Sequence, residues 1–135
     1  MSGNKSSETT LTQSDHFEFS VKIEDPNTGL EFSFPMEVDT GCPYALALPE
    51  SCERFFSKRQ GTLDLGGAGS AQSPVYSANI NQVGDIRLTY DTFAVITLEK
   101  SYSYGLMGIE LLKHLKTEIS GKPDSKKLRL EKTHL

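Results

Sequence analysis

The chain has 135 residues, with 14 Lys and Arg against 18 Asp and Glu and a formal net charge of −4, which fits one domain and gives a nucleic-acid partner no electrostatic support. It has no apolar run long enough to span a bilayer and no signal-peptide core at the N-terminus, so the expectation is a soluble, cytoplasmic protein with no membrane partner. Two cysteines, Cys42 and Cys52, and three scattered histidines, His16, His114 and His134, make neither a disulfide framework nor a metal-ligand spacing, and neither metal nor cofactor is expected.

Residues 1–15 are polar, Ser/Thr-rich and aperiodic, which predicts a disordered tail ahead of one domain over 16–135. Phe17, Phe19, Val21 and Ile23 then alternate with polar residues, the period of a half-buried strand. Asp25-Pro26-Asn27-Thr28-Gly29 carries turn chemistry, and Phe32, Phe34, Met36 and Val38 resume the alternation. The pair reads as a hairpin, with Pro35 on its outward set at an edge or bulge. Residues 44–48 read as a third strand and 49–57 as one irregular helical turn. A strand over 63–65 runs into Gly66-Gly67-Ala68-Gly69-Ser70, and another over 75–80 runs out; glycine at that density lets the backbone bend freely.

Further strands are expected around Ile86, Leu88 and Tyr90, at Phe93 and Val95, and over 102–107, with a turn at Gly84-Asp85. A helix is expected over 109–116, with Leu111, Leu112 and Leu115 as its apolar stripe. Residues 117–119 and 128–130 flank Gly121-Lys122-Pro123-Asp124 as a closing hairpin. Strands outnumber helices, so the class is mainly β with one short helix near the C-terminus.

The chemistry concentrates at Asp39. An apolar strand runs into Asp39-Thr40-Gly41 and a second apolar strand leaves it. A carboxylate on a tight turn between buried strands costs several kcal/mol to desolvate unless something compensates it. Far downstream, Leu106-Met107-Gly108 opens the helix. The two segments together resemble the retropepsin-like (retroviral-type) aspartic proteases, including their small prokaryotic members, over roughly residues 17–130. The resemblance implies a closed β-barrel acting as a homodimer, with Asp39 as the catalytic residue and Thr40 and Gly41 supporting its loop. It further implies a flap at Gly66, Gly67, Ala68 and Gly69 closing over a peptide or unfolded-protein substrate, and Leu106, Met107 and Gly108 packed beneath the catalytic loop.

The homodimer also follows from the reaction. Hydrolysis of a peptide by carboxylates needs a base for water and an acid for the carbonyl oxygen, and two carboxyl groups sharing one proton supply both. Two charges about 4 Å apart at an effective dielectric of about 20 repel by about 4 kcal/mol, on the order of three pKa units, so one ionises while the other keeps its proton. The chain has no second Asp-Thr/Ser-Gly, since Asp91-Thr92 and Asp124-Ser125 both lack the Gly. The partner carboxylate is then the same residue of a second copy.

Two positions depart from the family pattern. Retroviral members usually carry Arg after the helix-opening Gly and an acid two residues beyond the Asp-Thr-Gly. Here those positions are Ile109 and Pro43, so both partners of that ion pair are absent and the dimer needs another brace. Cys42 stands where a small residue is usual. The competing readings are a non-catalytic dimeric β-barrel that binds an extended peptide or partner protein, and a protease that trims only its own tail. A cysteine hydrolase using Cys42 and His114 lacks a local signature, and a phosphate-cradling loop at 66–70 lacks the required glycine spacing.

Overall fold

In β2 (Glu18–Glu24) the alternation seen in the sequence becomes burial: Phe19, Val21 and Ile23 point inward while the residues between them face solvent. The computed structural model describes residues 5–12, 15–64, 72–88, 92–98 and 103–133. β1 (Ser6–Thr10) precedes β2, and β3 (Glu31–Val38) returns antiparallel to β2 with Ile23 opposite Phe32 and Phe19 opposite Met36. The hairpin is tied off by Asp25, and Gly29 adopts a φ of 78° in its turn, a conformation that favours glycine. Pro35 is exposed, one residue before the next strand begins to pair with β3 at Met36, so its missing N–H costs nothing there.

Beyond the Asp39 loop come β4 (Leu46–Leu48), a 3-10 helix (Glu50–Phe55), β5 (Gly61–Asp64) and the long β6 (Gln72–Val83). β7 (Ile86–Arg87), β8 (Phe93–Thr97), β9 (Gly105–Met107), α1 (Ile109–Leu112), β10 (Leu115–Ser120) and β11 (Lys127–Lys132) complete the order. Strands β2-β3-β9-β4-β8-β6 form a continuous sheet, and the pairing of β2 with β6 closes it into a six-stranded barrel. β5 and β7 attach to β6. A second sheet has the order β1-β11-β10. The two sheets share one apolar core, in which Val21, Ile80, Val95 and Met107 from the barrel meet Leu111 of α1 and Leu130 of β11.

Two expectations from the sequence are corrected. Residues 6–10 form β1, paired with β11 from Ser6 opposite Glu131 to Thr10 opposite Lys127, so the stretch read as part of a disordered tail is a strand there. Its anchor is polar: Ser7 is buried, and its hydroxyl accepts the Asp85 N–H at 3.1 Å. Gly84, at φ 55°, leaves room for it, since a Cβ would press on Ser7 and on Phe19. The helix expected over 109–116 ends at Leu112. The His114 N–H turns back to Leu111 O at 3.0 Å, and Leu115 opens β10 opposite Lys132. Leu111, Leu112 and Leu115 are all buried, so the apolar stripe is present, supplied by one turn of helix and the start of a strand.

Asp25 is buried, and its carboxylate accepts the Asn27 and Ser57 N–H groups at 3.1 Å each and the Thr28 hydroxyl at 2.9 Å. It thereby joins the β2–β3 turn to the segment after the 3-10 helix. Burial pushes its pKa up, but these donors outweigh burial and hold it below the usual 3.8. The depressed pKa means that the stabilisation is present above the unfolded value and is lost as pH falls through the folded one. Asp25→Asn, which cannot accept all these bonds, is expected to lower stability by about 2 kcal/mol at neutral pH. Urea unfolding at pH 7 and below pH 3 checks this: the gap between wild type and variant narrows in acid.

Candidate active site

β3 delivers the chain to Asp39 at a point where three strands meet. β9 lies between β3, to which it is parallel with Val38 opposite Met107, and β4, to which it is antiparallel with Leu46 opposite Met107. The Asp39 loop therefore leaves one neighbour of β9 and returns as the other. Three backbone bonds hold the loop to the segment beneath it. Asp39 N–H donates to Met107 O at 2.9 Å, Gly108 N–H to Ala45 O at 3.0 Å, and Ile109 N–H to Cys42 O at 2.9 Å. Leu106, Met107 and Gly108 thus lie under the loop through which Asp39, Thr40 and Gly41 pass.

Within the loop the Asp39 Oδ1 accepts the Gly41 N–H at 2.9 Å, and Asp39 O accepts the Cys42 N–H at 3.1 Å. The side chain is half-buried, and Thr40 and Gly41 are exposed. Gly41 does not use left-handed backbone. Its small size matters instead, because a Cβ would lie 3.2 Å from Asp39 Oδ1. The constraint at Gly108 is more severe, since a Cβ there would strike Tyr44 O and come within 2.5 Å of Cys42 O.

Asp39 and Thr40 border an open groove of about 360 Å³. Its other walls are Phe17 and Val38 from the barrel, Ile109, Leu112 and Lys113 from α1 and its end, and Thr117, Ile119 and Leu128 from the second sheet. Asp39 is the one carboxylate in this lining, and Lys113 is ion-paired with Glu110 at 2.8 Å. Ile109 and Ile119 remain exposed at its rim. The sequence reading placed Ile109 and residues 117–119 on their elements but did not bring them to Asp39. No local signal in the sequence marks them, because their approach to Asp39 is set by long-range packing.

Cys42 is buried behind the loop, and burial followed by the Asp39 charge pushes its thiol pKa up, the opposite of what an attacking thiolate needs. Cys52 is buried too, its thiol pushed up to about 11 by burial. The His114 ring sits edge-on to Phe93, with centroids 5.9 Å apart. Among the described residues no three His, Cys, Asp or Glu side chains converge on a metal position, and no helix is long and apolar enough to cross a membrane. The proposed flap residues Gly66, Gly67, Ala68 and Gly69 lie outside the described residues. What is described is the base of their hairpin, with Asp64 of β5 opposite Gln72 of β6.

This architecture matches a solved structure, a retropepsin-like aspartic protease from Rickettsia conorii, with a TM-score of 0.56 over 98% of both chains at 15% sequence identity. The chain has the retropepsin-like fold. No family model and no curated protein sequence matches it. In this fold the loop between β3 and β4 depends on a glycine at position 108. Gly108→Ala is expected to cost about 3 kcal/mol through overpacking against the Cys42 and Tyr44 carbonyls, measured as a lower urea midpoint. A midpoint equal to wild type would show that the loop is not held in this way.

Proposed function

We propose that the chain is an aspartic endopeptidase acting as a homodimer, with Asp39 from each copy forming one catalytic pair. The observation that carries the proposal is the position of Asp39. It sits half-buried on a turn braced from below by β9, at the border of an open groove, in a chain whose fold is shared with an aspartic protease. In the pair, the ionised carboxylate takes a proton from water as the water oxygen attacks the peptide carbonyl carbon. The protonated carboxyl gives its proton to the carbonyl oxygen. Collapse of the resulting gem-diol breaks the C–N bond, and the amine leaves with a proton from the pair.

Thr40 and Gly41 are assigned to supporting the loop, with the Thr40 hydroxyl available to the partner loop and the Gly41 N–H already on Asp39 Oδ1 at 2.9 Å. Gly66, Gly67, Ala68 and Gly69 are assigned to a flap that closes over an extended peptide, which would bind as an added strand. No metal or cofactor enters this chemistry.

The test is cleavage of an unstructured protein at pH 4 to 6. Asp39→Asn is expected to lower kcat/KM by about 10²–10⁴-fold or more while leaving the oligomeric state unchanged, and Cys42→Ala is expected to retain cleavage. A wild-type protein that is dimeric yet inert across a broad substrate panel would favour a peptide-binding barrel without catalysis.

A further inference from the structure

From Arg54 to Leu63 the chain carries three cations, Arg54, Lys58 and Arg59, and no acid, in a molecule whose formal net charge is −4. All three are exposed, and among the described residues none of them enters an ion pair. On the N-terminal side the nearest acids, Glu50 and Glu53, belong to the first turn of the 3-10 helix, and Glu53 accepts the Thr97 hydroxyl at 2.9 Å. The other basic run, over 122–132, is balanced by contrast. Asp124 and Glu131 interrupt it, and Arg129 stands opposite Glu8 on β1 and Glu118 on β10.

These charges adjoin an apolar surface that the fold assembles from two distant segments. The Arg54 guanidinium lies over the Phe55 ring, 4.9 Å from its centroid, and Phe55 stacks on Phe32 of β3 with centroids 4.3 Å apart. Phe32 meets Phe56 edge-on at 5.8 Å, and Phe56 stacks on Tyr76 of β6 at 4.8 Å. Phe56 and Tyr76 belong to the core, whereas Phe55 and Phe32 are only half-buried. Asp25 ties the two segments together: its N–H donates to Leu30 O at 2.9 Å, and its Oδ2 accepts the Ser57 N–H at 3.1 Å. Leu30, 48% exposed, is thereby fixed close to the cationic segment. None of these residues lines the groove beside Asp39.

We propose that this face docks an acidic, unstructured protein segment that carries an apolar side chain among its carboxylates. An arginine already seated on an aromatic ring keeps its N–H edge for a carboxylate and loses little freedom on binding. Arginine and aromatic side chains are also the ones that carry most of the energy of protein contacts. Lys58 and Arg59 supply the attraction that steers an acidic segment in, and Phe55 with Leu30 takes its apolar residue. The acidic balance of the whole chain selects against larger polyanions. A bilayer or a nucleic acid would also meet the chain's own carboxylates, whereas a short segment lying on this face is screened from charges beyond about 8 Å. The inference stands independently of the peptidase reading; together with it, the face recruits acid-bearing substrates from outside the catalytic groove.

The test is fluorescence anisotropy with a short labelled peptide in which Glu and Asp alternate with Phe, using Asp39→Asn so that no cleavage intervenes. The peptide is expected to bind, and a control with Gln and Asn in place of its acids to bind about tenfold more weakly or worse. Raising salt from roughly 50 mM to roughly 0.5 M is expected to weaken the acidic peptide by about tenfold. Lys58→Glu combined with Arg59→Glu, at two exposed positions, is expected to raise the dissociation constant by about tenfold or more. Leu30→Ser should raise it by about threefold. Lys122→Glu combined with Lys126→Glu, on the β10–β11 turn, should leave it unchanged.

Equal affinity for the acidic peptide and its amide control overturns the proposal, and so does indifference to the Lys58 and Arg59 charge reversal. Tighter binding to phosphatidylserine vesicles than to the peptide, lost with the same reversal, overturns it too and assigns the face to a membrane. Cleavage assayed on the wild type separates this claim from the peptidase reading. Peptide docking by a protein that cleaves nothing leaves the docking intact and removes the peptidase; cleavage without peptide docking at this face does the reverse.

Discussion

The structure turns on β9 being held between two strands that the Asp39 loop connects. Because β3 and β4 both pair with β9, both ends of the loop are held, and three backbone bonds, accepted by the carbonyls of Met107, Ala45 and Cys42, close it onto the segment below. Each of those groups would otherwise be left with an unmet hydrogen bond near the core, at a cost of about 1–3 kcal/mol apiece. The carboxylate is thus placed by backbone geometry, with its own side chain spending one oxygen on the Gly41 N–H. Gly108 is where this arrangement is least tolerant, since the Cys42–Tyr44 backbone occupies the volume a side chain would need.

Much of this was legible in the sequence because it is written in periods and glycines. The alternation at Phe19, Val21 and Ile23 and its return to Met36 fixed the first hairpin, and the meeting of Asp39-Thr40-Gly41 with Leu106-Met107-Gly108 pointed to the fold. Where reading failed, distant partners decided the structure. Nothing in residues 6–10 announces a strand, because β1 is held by its pairing with β11 and by a serine hydroxyl on the Asp85 N–H. Leu115 fits a helical stripe equally well, and only its pairing with Lys132 commits it to β10. The parallel pairing of β3 with β9 joins residues far apart in the chain and has no local signature.

The groove beside Asp39 belongs to the same class of long-range outcome. Phe17, Ile109, Ile119 and Leu128 come from four separate places in the chain, and each alone reads as an ordinary apolar position. Together they form a surface that is apolar, open and adjacent to a lone carboxylate. Exposed isoleucines at that rim are costly in a monomer, since apolar area gains roughly 25 cal/mol per Å² on leaving water. In the proposed homodimer, Ile109 and Pro43 would stand where the resemblance implies a charged brace, so any contact there would be of another kind.

Mixing copies with and without the carboxylate tests most directly whether two chains make one site. Wild type is co-refolded with Asp39→Asn at fixed total concentration, and cleavage is followed as the wild-type fraction falls. A shared site predicts activity that declines with the square of that fraction, because a mixed dimer holds one carboxylate and does not turn over. A decline in simple proportion to the fraction would mean that each chain works alone, and would contradict the account.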